Sequence, residues 1–583
     1  MEYRFLTIAL FFLTFCVGCS KEEDTDTDDS PGYSVDPIYD EYYVDPNSSK
    51  TPESDDSVDP KLEAALVKIL KTELINDETN LSQKESETAE ESEEVQKLRE
   101  LAESGDSEAQ FKLGRCYEKG NGVAQNYENA VLWYKKAAEQ GNAKAQNNLG
   151  VCYADGYGVS QNYVKALELF MESAEQNNVY AIGNVGWCYY HGHGVPADYA
   201  TAVDWFKKGA KLEDSNCYNF MGICYEEGRG VVQDYKTAVE WYKLGVEQDY
   251  VYSQSNLGRC YYYGNGVAQD YGKAVELFIN AALQGHSGAI NYLGVCCEYG
   301  YGVKQSYSAA VKLYQKAGEM DNDVAQCNLG VFYYNGYGGV TQDYKKAIEL
   351  FKKSAEQDNS RAKYMLGVCY YFGNGVAQNY NEAVKWFEQS SDYSWSQLYL
   401  GYCYYYEHLY AQDYVKAVEL FQKSEEQGNT DAQYMLGCCY YYGNGVSKDE
   451  NKAFEWYMKS AEQGNANGQV GVGYCYEKGY GVTQNYHTAF EWYKKASLQG
   501  NATAQNNLGS FYYKGYSVNK NYYTAFEYYK RAANKGNADA QYMMGWCYEH
   551  GQGTTQDLAK AKEWYQKAAD QGDEDAKERL KNL

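Results

Sequence analysis

Basic side chains are scarce in this sequence of 583 residues: 53 Lys and Arg stand against 81 Asp and Glu, a net charge of -28. That balance excludes binding to nucleic-acid phosphates, which needs a basic footprint. Residues 20–100 hold 25 acidic against 8 basic side chains, so most of the excess sits in one solvated segment and the remainder is only mildly acidic. Histidine is scarcer, with six in all. The pair His191 and His193, in "HGHG", has no carboxylate or thiolate at helical spacing and makes a poor metal site. "GNGVAQNY" lacks the third Gly, the following Lys and the preceding strand of a phosphate loop. No nucleophile, base and orienting group converge visibly, so neither enzyme activity nor a cofactor or metal is expected.

Proline is also rare, and five of the six lie between Pro31 and Pro60. Residues 20–58, rich in Asp, Ser, Pro and Tyr, cannot bury enough apolar surface to offset their ordering entropy and are predicted to be an acidic disordered tether. Residues 59–75 follow as an isolated amphipathic docking helix, with an N-cap at Asp59, Pro60 at the first helical position and Leu62, Leu66, Ile69 and Leu70 on one face. Residues 76–96 are expected to be an acidic linker that leads into "QKLRELAESGD", the second helix of a degenerate leading repeat. Before the tether, the apolar run Phe5 to Val17 is too short to span a bilayer and has the length of a signal-peptide core. Its sequel "CVGC" resembles the lipobox of bacterial lipoproteins, which makes residues 1–19 the signal peptide and Cys19 the lipidated residue. Cys16 stands where that pattern usually has Leu, and Arg4 leaves the leader weakly basic. A plain secretory signal is the alternative. "SKEED" after Cys19 resembles the export signal of surface lipoproteins, although a solvated tether would look the same.

What the chain has in abundance is repetition. "AQNNLGVCYADGYGVSQNYVKALELFMESAEQ", from Ala145 to Gln176, returns thirteen times, anchored at Gly114, Gly150, Gly186, Gly222, Gly258, Gly294, Gly330, Gly367, Gly401, Gly437, Gly473, Gly509 and Gly545. Ten of the twelve intervals are 36 residues, the mark of a solenoid whose units bury their apolar faces against neighbours. Counting the anchor as zero, every unit has Ala at +16 and Tyr or Phe at +20, from Ala130 and Tyr134 to Ala561 and Tyr565. That spacing puts a small and a large residue on one helical face as a packing pair. Position +12 is Asn, Asp or Ser throughout, the N-cap of a second helix, and the first helix ends near +5. Between them "GxGV", as at Gly120, Gly122 and Val123, supplies a tight turn and a Val that packs back.

This pattern, written "A...LG..Y..G.GV..(D/N)Y..A..WY..AA..G", resembles the Sel1-like repeat, a relative of the tetratricopeptide repeat. The resemblance covers residues 97–572, with 573–583 left as a C-terminal capping helix. It implies an all-α, right-handed α-solenoid of about thirteen helix-turn-helix units that serves as a protein-interaction adaptor. Two units depart: Gly339 lengthens one turn, and "EHLY" at Glu407 to Tyr410 replaces "GxGV" in another, where a local change of pitch or a specialised contact is expected.

Of the 17 cysteines, eleven occupy +2 in successive units, and Phe332 and Phe511 take the other two places. Equivalent positions of stacked units lie roughly 10 Å apart, too far for a disulfide, so these are read as buried small hydrophobes. The cysteine-rich members of the resembled family pair Cys at sites matching Ala138 and Gln146; this chain lacks them, so neither their bridges nor their penicillin binding carries over. The adjacent pairs Cys296 and Cys297, and Cys438 and Cys439, are expected to combine core packing with one exposed thiol, a reactive pair being the alternative.

Binding is expected on the first helices, at -3, +1 and +4 by alignment with tetratricopeptide grooves. Three successive units make that stripe aromatic or apolar: Tyr364, Val368 and Tyr371, then Leu398, Tyr402 and Tyr405, then Tyr434, Cys438 and Tyr441. Earlier units are more mixed, with Arg115, Glu118, Trp187, Tyr190, Arg259 and Tyr262. The twelve Tyr at +3, such as Tyr117 and Tyr153, are expected in the core between repeats. The resulting expectation is a non-catalytic scaffold, held by lipid at a bacterial outer membrane and facing the periplasm or the outside, that takes a protein or peptide partner in a Tyr-rich concave groove. A surface glycan-binding protein is the alternative, since rigid Tyr suits ring stacking as well as peptides. A secreted or periplasmic location is the alternative placement, and an enzyme is the remaining, unsupported reading.

Overall fold

A computed structural model of the chain describes residues 62–70, 91–406 and 412–583. The leader, Cys19, the tether, most of the acidic linker and the "EHLY" segment lie outside the described residues. The described residues are all-α, and the chain forms a solenoid of helix pairs. They fall into two compact units, one up to residue 326 and one from 327 onward.

Each repeat is one helix pair, and the first shows why the sequence folds so. Asp106 caps the helix Ser107–Lys119 by accepting from the Ala109 N–H, and Gly120, at φ 73°, ends it in the left-handed conformation that a side chain resists. Gly122 also has positive φ. Asn126 then caps the second helix, Tyr127–Glu139, while its own N–H donates to the Tyr117 carbonyl at 2.9 Å. The Gln125 side chain donates to the Glu118 carbonyl at 2.9 Å, so the turn is fastened to the last turn of the first helix. Val123 packs half-buried against the core, as read from the sequence.

The anchor glycine does what the Ala alone was expected to do. A β-carbon on Gly150 would lie 2.6 Å from the Phe170 ring, and one on Gly258 would lie 2.6 Å from Phe278. The same near-contact between the anchor and the +20 ring occurs in all thirteen units. The aromatic of the second helix therefore lies flat against bare backbone of the first, and the buried Ala at +16 removes bulk one turn away.

A second glycine joins neighbouring units. A β-carbon on Gly158 would stand 2.4 Å from the Tyr127 carbonyl, at the start of the preceding repeat's second helix. Beside it, position +7 stacks on the ring at +13 of that preceding repeat: Tyr157 on Tyr127 at 4.9 Å, Tyr301 on Tyr271 at 4.6 Å and Tyr516 on Tyr486 at 4.5 Å between centroids. At the opposite end of six of the pairs, Gln side chains bridge the two helices, as Gln140 to Gln110 at 2.7 Å and Gln176 to Gln146 at 2.8 Å.

Three boundaries differ from the sequence reading. The leading second helix is Glu93–Glu103, capped by Ser92, so it starts four residues inside the expected linker because the Ser92 hydroxyl offers a cap that the acidic run concealed. Within 59–75 the described helix covers 62–70; its buried side chains are Leu62, Ala65, Leu66 and Ile69, with Leu70 half-buried, so its apolar face is covered rather than free. The C-terminal helix is Glu574–Asn582, capped by Asp573.

Gly258→Ala is expected to destabilise the chain by about 1–2 kcal/mol, because the clash with the fully buried Phe278 ring outweighs the gain in helix propensity. Hydrogen exchange should show the loss centred on Val251–Tyr263 and Tyr271–Leu283. Adding Phe278→Leu should recover part of it.

Candidate interaction face

The structure separates the expected groove residues into two groups. Tyr364 and Leu398 have no exposed surface, and Tyr371 and Tyr405 are also buried. Tyr402, Tyr434 and Tyr441 are half-buried. The first four are corrections: a buried ring offers no area to a partner, and these pack between helices. Tyr364 meets Tyr399 at 5.7 Å and Phe387 at 6.1 Å, while the Tyr405 hydroxyl accepts from Asn444 of the following repeat at 2.8 Å. The accessible part of the stripe is Tyr402, Tyr434 and Tyr441, extended by Tyr474, whose ring lies 6.0 Å from Tyr441.

The +3 tyrosines are corrected in the opposite sense. Tyr117, Tyr153 and Tyr404 are buried, but Tyr261, Tyr333, Tyr440 and Tyr548 are half-buried. The faces of the half-buried rings are covered by lysines of the second helix, as Lys346 over Tyr333 at 4.2 Å and Lys452 over Tyr440 at 5.3 Å. The +4 side chains turn further inward and reach the +20 ring.

That contact carries a pairing that the sequence reading missed. Where +20 is Tyr, its buried hydroxyl needs an acceptor, and in five of the seven such units Glu at +4 supplies one: Tyr242 donates to Glu226 at 2.5 Å, Tyr314 to Glu298 at 2.6 Å, Tyr493 to Glu477 at 2.9 Å and Tyr565 to Glu549 at 2.7 Å. Tyr134 donates likewise to Glu118. Where +20 is Phe, +4 is Tyr or Ala. All five Glu at +4 occur in units with Tyr at +20, a covariation within one chain that could have been read directly. Arg259 adds an ion pair to Glu226 at 3.1 Å, with both side chains largely buried. Glu118 and Glu226 therefore belong first to packing, not to a binding surface.

The remaining chemistry-bearing side chains are also packed. His193 stacks on Tyr163 at 4.1 Å and lies 4.6 Å from Trp187, and His191 lies 5.3 Å from the same Trp. Among the described residues no group of three His, Cys, Asp or Glu could hold a metal ion. The fifteen described cysteines are free thiols, all buried except half-buried Cys116. Both members of each adjacent pair, Cys296 with Cys297 and Cys438 with Cys439, are buried, which corrects the expectation of an exposed thiol. Cys438 and Cys439 enter two different core clusters because consecutive helical positions differ by about 100°. Burial pushes the Cys188 and Cys297 thiols up to about 12, away from the reactive thiolate.

Comparison with known proteins agrees with this architecture. The Sel1 repeat family profile matches thirteen consecutive segments, 107–142, 143–178, 179–214, 215–250, 251–286, 287–322, 323–359, 360–392, 396–429, 430–465, 466–501, 502–537 and 538–573. The chain is similar to a protective antigen present in uropathogenic Escherichia coli strains and displaying an SLR fold, at 31% identity over 84% of this chain and 97% of that one, with a TM-score of 0.50. It is also similar to a Sel1 repeat protein from Oxalobacter formigenes, at 30% identity over 53% of this chain and 90% of that one, TM-score 0.38. Helicobacter pylori cysteine rich protein B matches at 26% identity over 23% of this chain and 96% of its own, TM-score 0.20. No curated protein matches the chain.

Two outcomes test the packing assignments. Phe387→Tyr should cost about 1–3 kcal/mol by burying a hydroxyl beside Tyr371, and Tyr371→Glu in the same chain should restore much of it, as a double-mutant cycle in urea unfolding would measure. Alkylation of the native protein, mapped by mass spectrometry, should label Cys116 faster than any other described cysteine, with the rest reacting only after denaturation.

Proposed function

The chain belongs to the Sel1 repeat family, whose members generally serve as protein-interaction scaffolds and are typically non-catalytic, and on that premise we propose that it is a scaffold that binds a partner protein or peptide along its first-helix face. The observation that carries this reading is the run of half-buried rings, Tyr402, Tyr434, Tyr441 and Tyr474, on successive first helices. Each ring is fixed by packing yet keeps an edge in solvent, so it offers contact area at small entropic cost.

In this proposal Cys19 carries the lipid that holds the protein at a bacterial outer membrane, and the acidic tether of residues 20–58 spaces the array from that membrane. The similarity to a protein described as a protective antigen supports an exported array. A glycan ligand is the second reading. It is favoured by the cluster of Tyr441, Tyr474 and Tyr480, whose rings lie 5.6–6.0 Å apart and could stack on sugar faces.

Affinity capture with the full chain from cell extract, with proteins and glycans both identified, tests these readings. The Tyr441→Ser/Tyr474→Ser variant avoids the buried rings and should keep its helicity while losing the specific protein. Retention of that protein by the variant would sink the ring-based face, and recovery of glycans alone would favour the second reading. Cys19→Ser should abolish incorporation of labelled palmitate and release the protein from the membrane fraction.

A further inference from the structure

Between the first helices Ala466–Lys478 and Ala502–Lys514 the array opens into a cleft of about 190 Å³. Its origin is a single small side chain. Position +1 carries Ser510 here, the smallest residue at that place in the thirteen units, where the neighbours have Tyr474 and Trp546. The Ser510 hydroxyl lies 3.2 Å from that of Tyr529 and stays close to its own helix, leaving the volume above it open.

The walls are unlike those of the preceding units. At +5 the three preceding repeats present Phe372, Tyr406 and Tyr442, but the two helices of the cleft present Lys478 and Lys514. No other consecutive units have Lys or Arg at that position. Lys478 pairs with Glu477 at 2.6 Å, and the second oxygen of that carboxylate accepts from Tyr493 at 2.9 Å. Glu477 is thus fully engaged and neutralises one cation, which leaves the cleft with a net positive charge. Tyr474 and Tyr516 complete the sides, with the Lys478 ammonium 5.7 Å from the Tyr474 ring centroid and Lys514 5.5 Å from that of Tyr516. Tyr516 is itself held by its stack on Tyr486.

We propose that this cleft receives a carboxylate side chain from an acidic, extended segment of a partner protein, with Lys478 and Lys514 approaching it from successive repeats. The cavity has the size of one side chain, which suits an anchor residue rather than a whole ligand. The flanking rings suit the adjoining peptide rather than a lone ion, and the net positive charge of the lining complements a carboxylate. This inference rests on the protein-scaffold reading and names the chemistry of its partner.

The test uses the full chain and a fluorescein-labelled peptide of four Glu flanked by Gly-Ser, against its Gln counterpart, read by fluorescence anisotropy. The Glu peptide should bind with an affinity that falls as salt rises, and the Gln peptide should not bind. Lys478→Glu/Lys514→Glu, and separately Ser510→Trp to fill the cavity, should each weaken binding about tenfold or more, while Lys494→Glu on the adjoining second helix should leave it unchanged. Equal binding of the Gln peptide, or unchanged affinity in both cleft variants with helicity intact, would overturn the proposal. Competition by inorganic phosphate at constant ionic strength, insensitive to Ser510→Trp, would assign the effect to free anions and overturn it also. The scaffold reading fails separately, if the wild-type chain captures no specific protein; the cleft alone fails if a captured protein is held equally by the Ser510→Trp chain.

Discussion

The contact on which the structure depends is an aromatic ring lying on a helix backbone. Phe278 over Gly258 and Tyr493 over Gly473 are two of its thirteen instances, and in each the missing β-carbon leaves room for little more than the ring's own thickness. Because a ring makes many small dispersion contacts at once, closing this gap brings the two helices to one fixed separation. The constraint also reaches the side chain four residues past the glycine. A Phe ring at +20 lets a Tyr settle against it, as Tyr371 does beside Phe387, whereas a Tyr ring takes an acceptor, as at Glu298. In the five repeats with Glu at +4 one packing choice therefore dictates a second, whereas Tyr457 and Tyr529 meet Cys438 and Ser510 instead and leave Tyr441 and Tyr513 half-buried at +4.

Neighbouring repeats are joined by equally local devices. The turn glycine, such as Gly194, approaches the Tyr163 carbonyl that begins the previous second helix, and His193 beside it stacks on the same Tyr. Within a repeat, at the other end, the bridges Gln284 to Gln254 and Gln571 to Gln541 satisfy buried amides that would otherwise be costly. Every one of these contacts lies within a repeat or between adjacent repeats, so stability is a sum of nearest-neighbour terms. Ser517 shows the tolerance of the scheme: it holds φ 60° where eleven other units have glycine, and its hydroxyl lies 3.4 Å from His487.

The fold was legible in the sequence because thirteen copies average away the ambiguity of any one helix. Caps at Asn126 and Asp198, the glycine turn and the Ala at +16 all fall where the spacing put them. The candidate face was less legible. Spacing of three and four places Tyr364, Val368 and Tyr371 on one helical stripe, but the stripe's angle to the neighbouring helices decides burial, and one repeat's pattern does not contain that angle. Tyr371 is covered by Phe387 and Tyr399, residues of its own second helix and of the following repeat. The thiols misled for a related reason: at Cys438 and Cys439 the sequence shows two adjacent helical positions, and only the packing shows that both directions point inward.

The positions that vary most are informative for the same reason that the core is not. At +20 the units permit only Tyr or Phe, but at +1 they carry Arg115, Val151, Trp187, Ile223, Tyr402, Cys438, Ser510 and Trp546 among others. A side chain released from the ring-on-glycine contact can differ in every repeat without altering the helix separation. Charge and shape at +1 and +5 can therefore change from aromatic to basic along the first helices while the scaffold stays constant. A ligand that reads several successive repeats would then be selected by the order of these side chains, each contributing little alone, with effective concentration along the array supplying the gain in affinity.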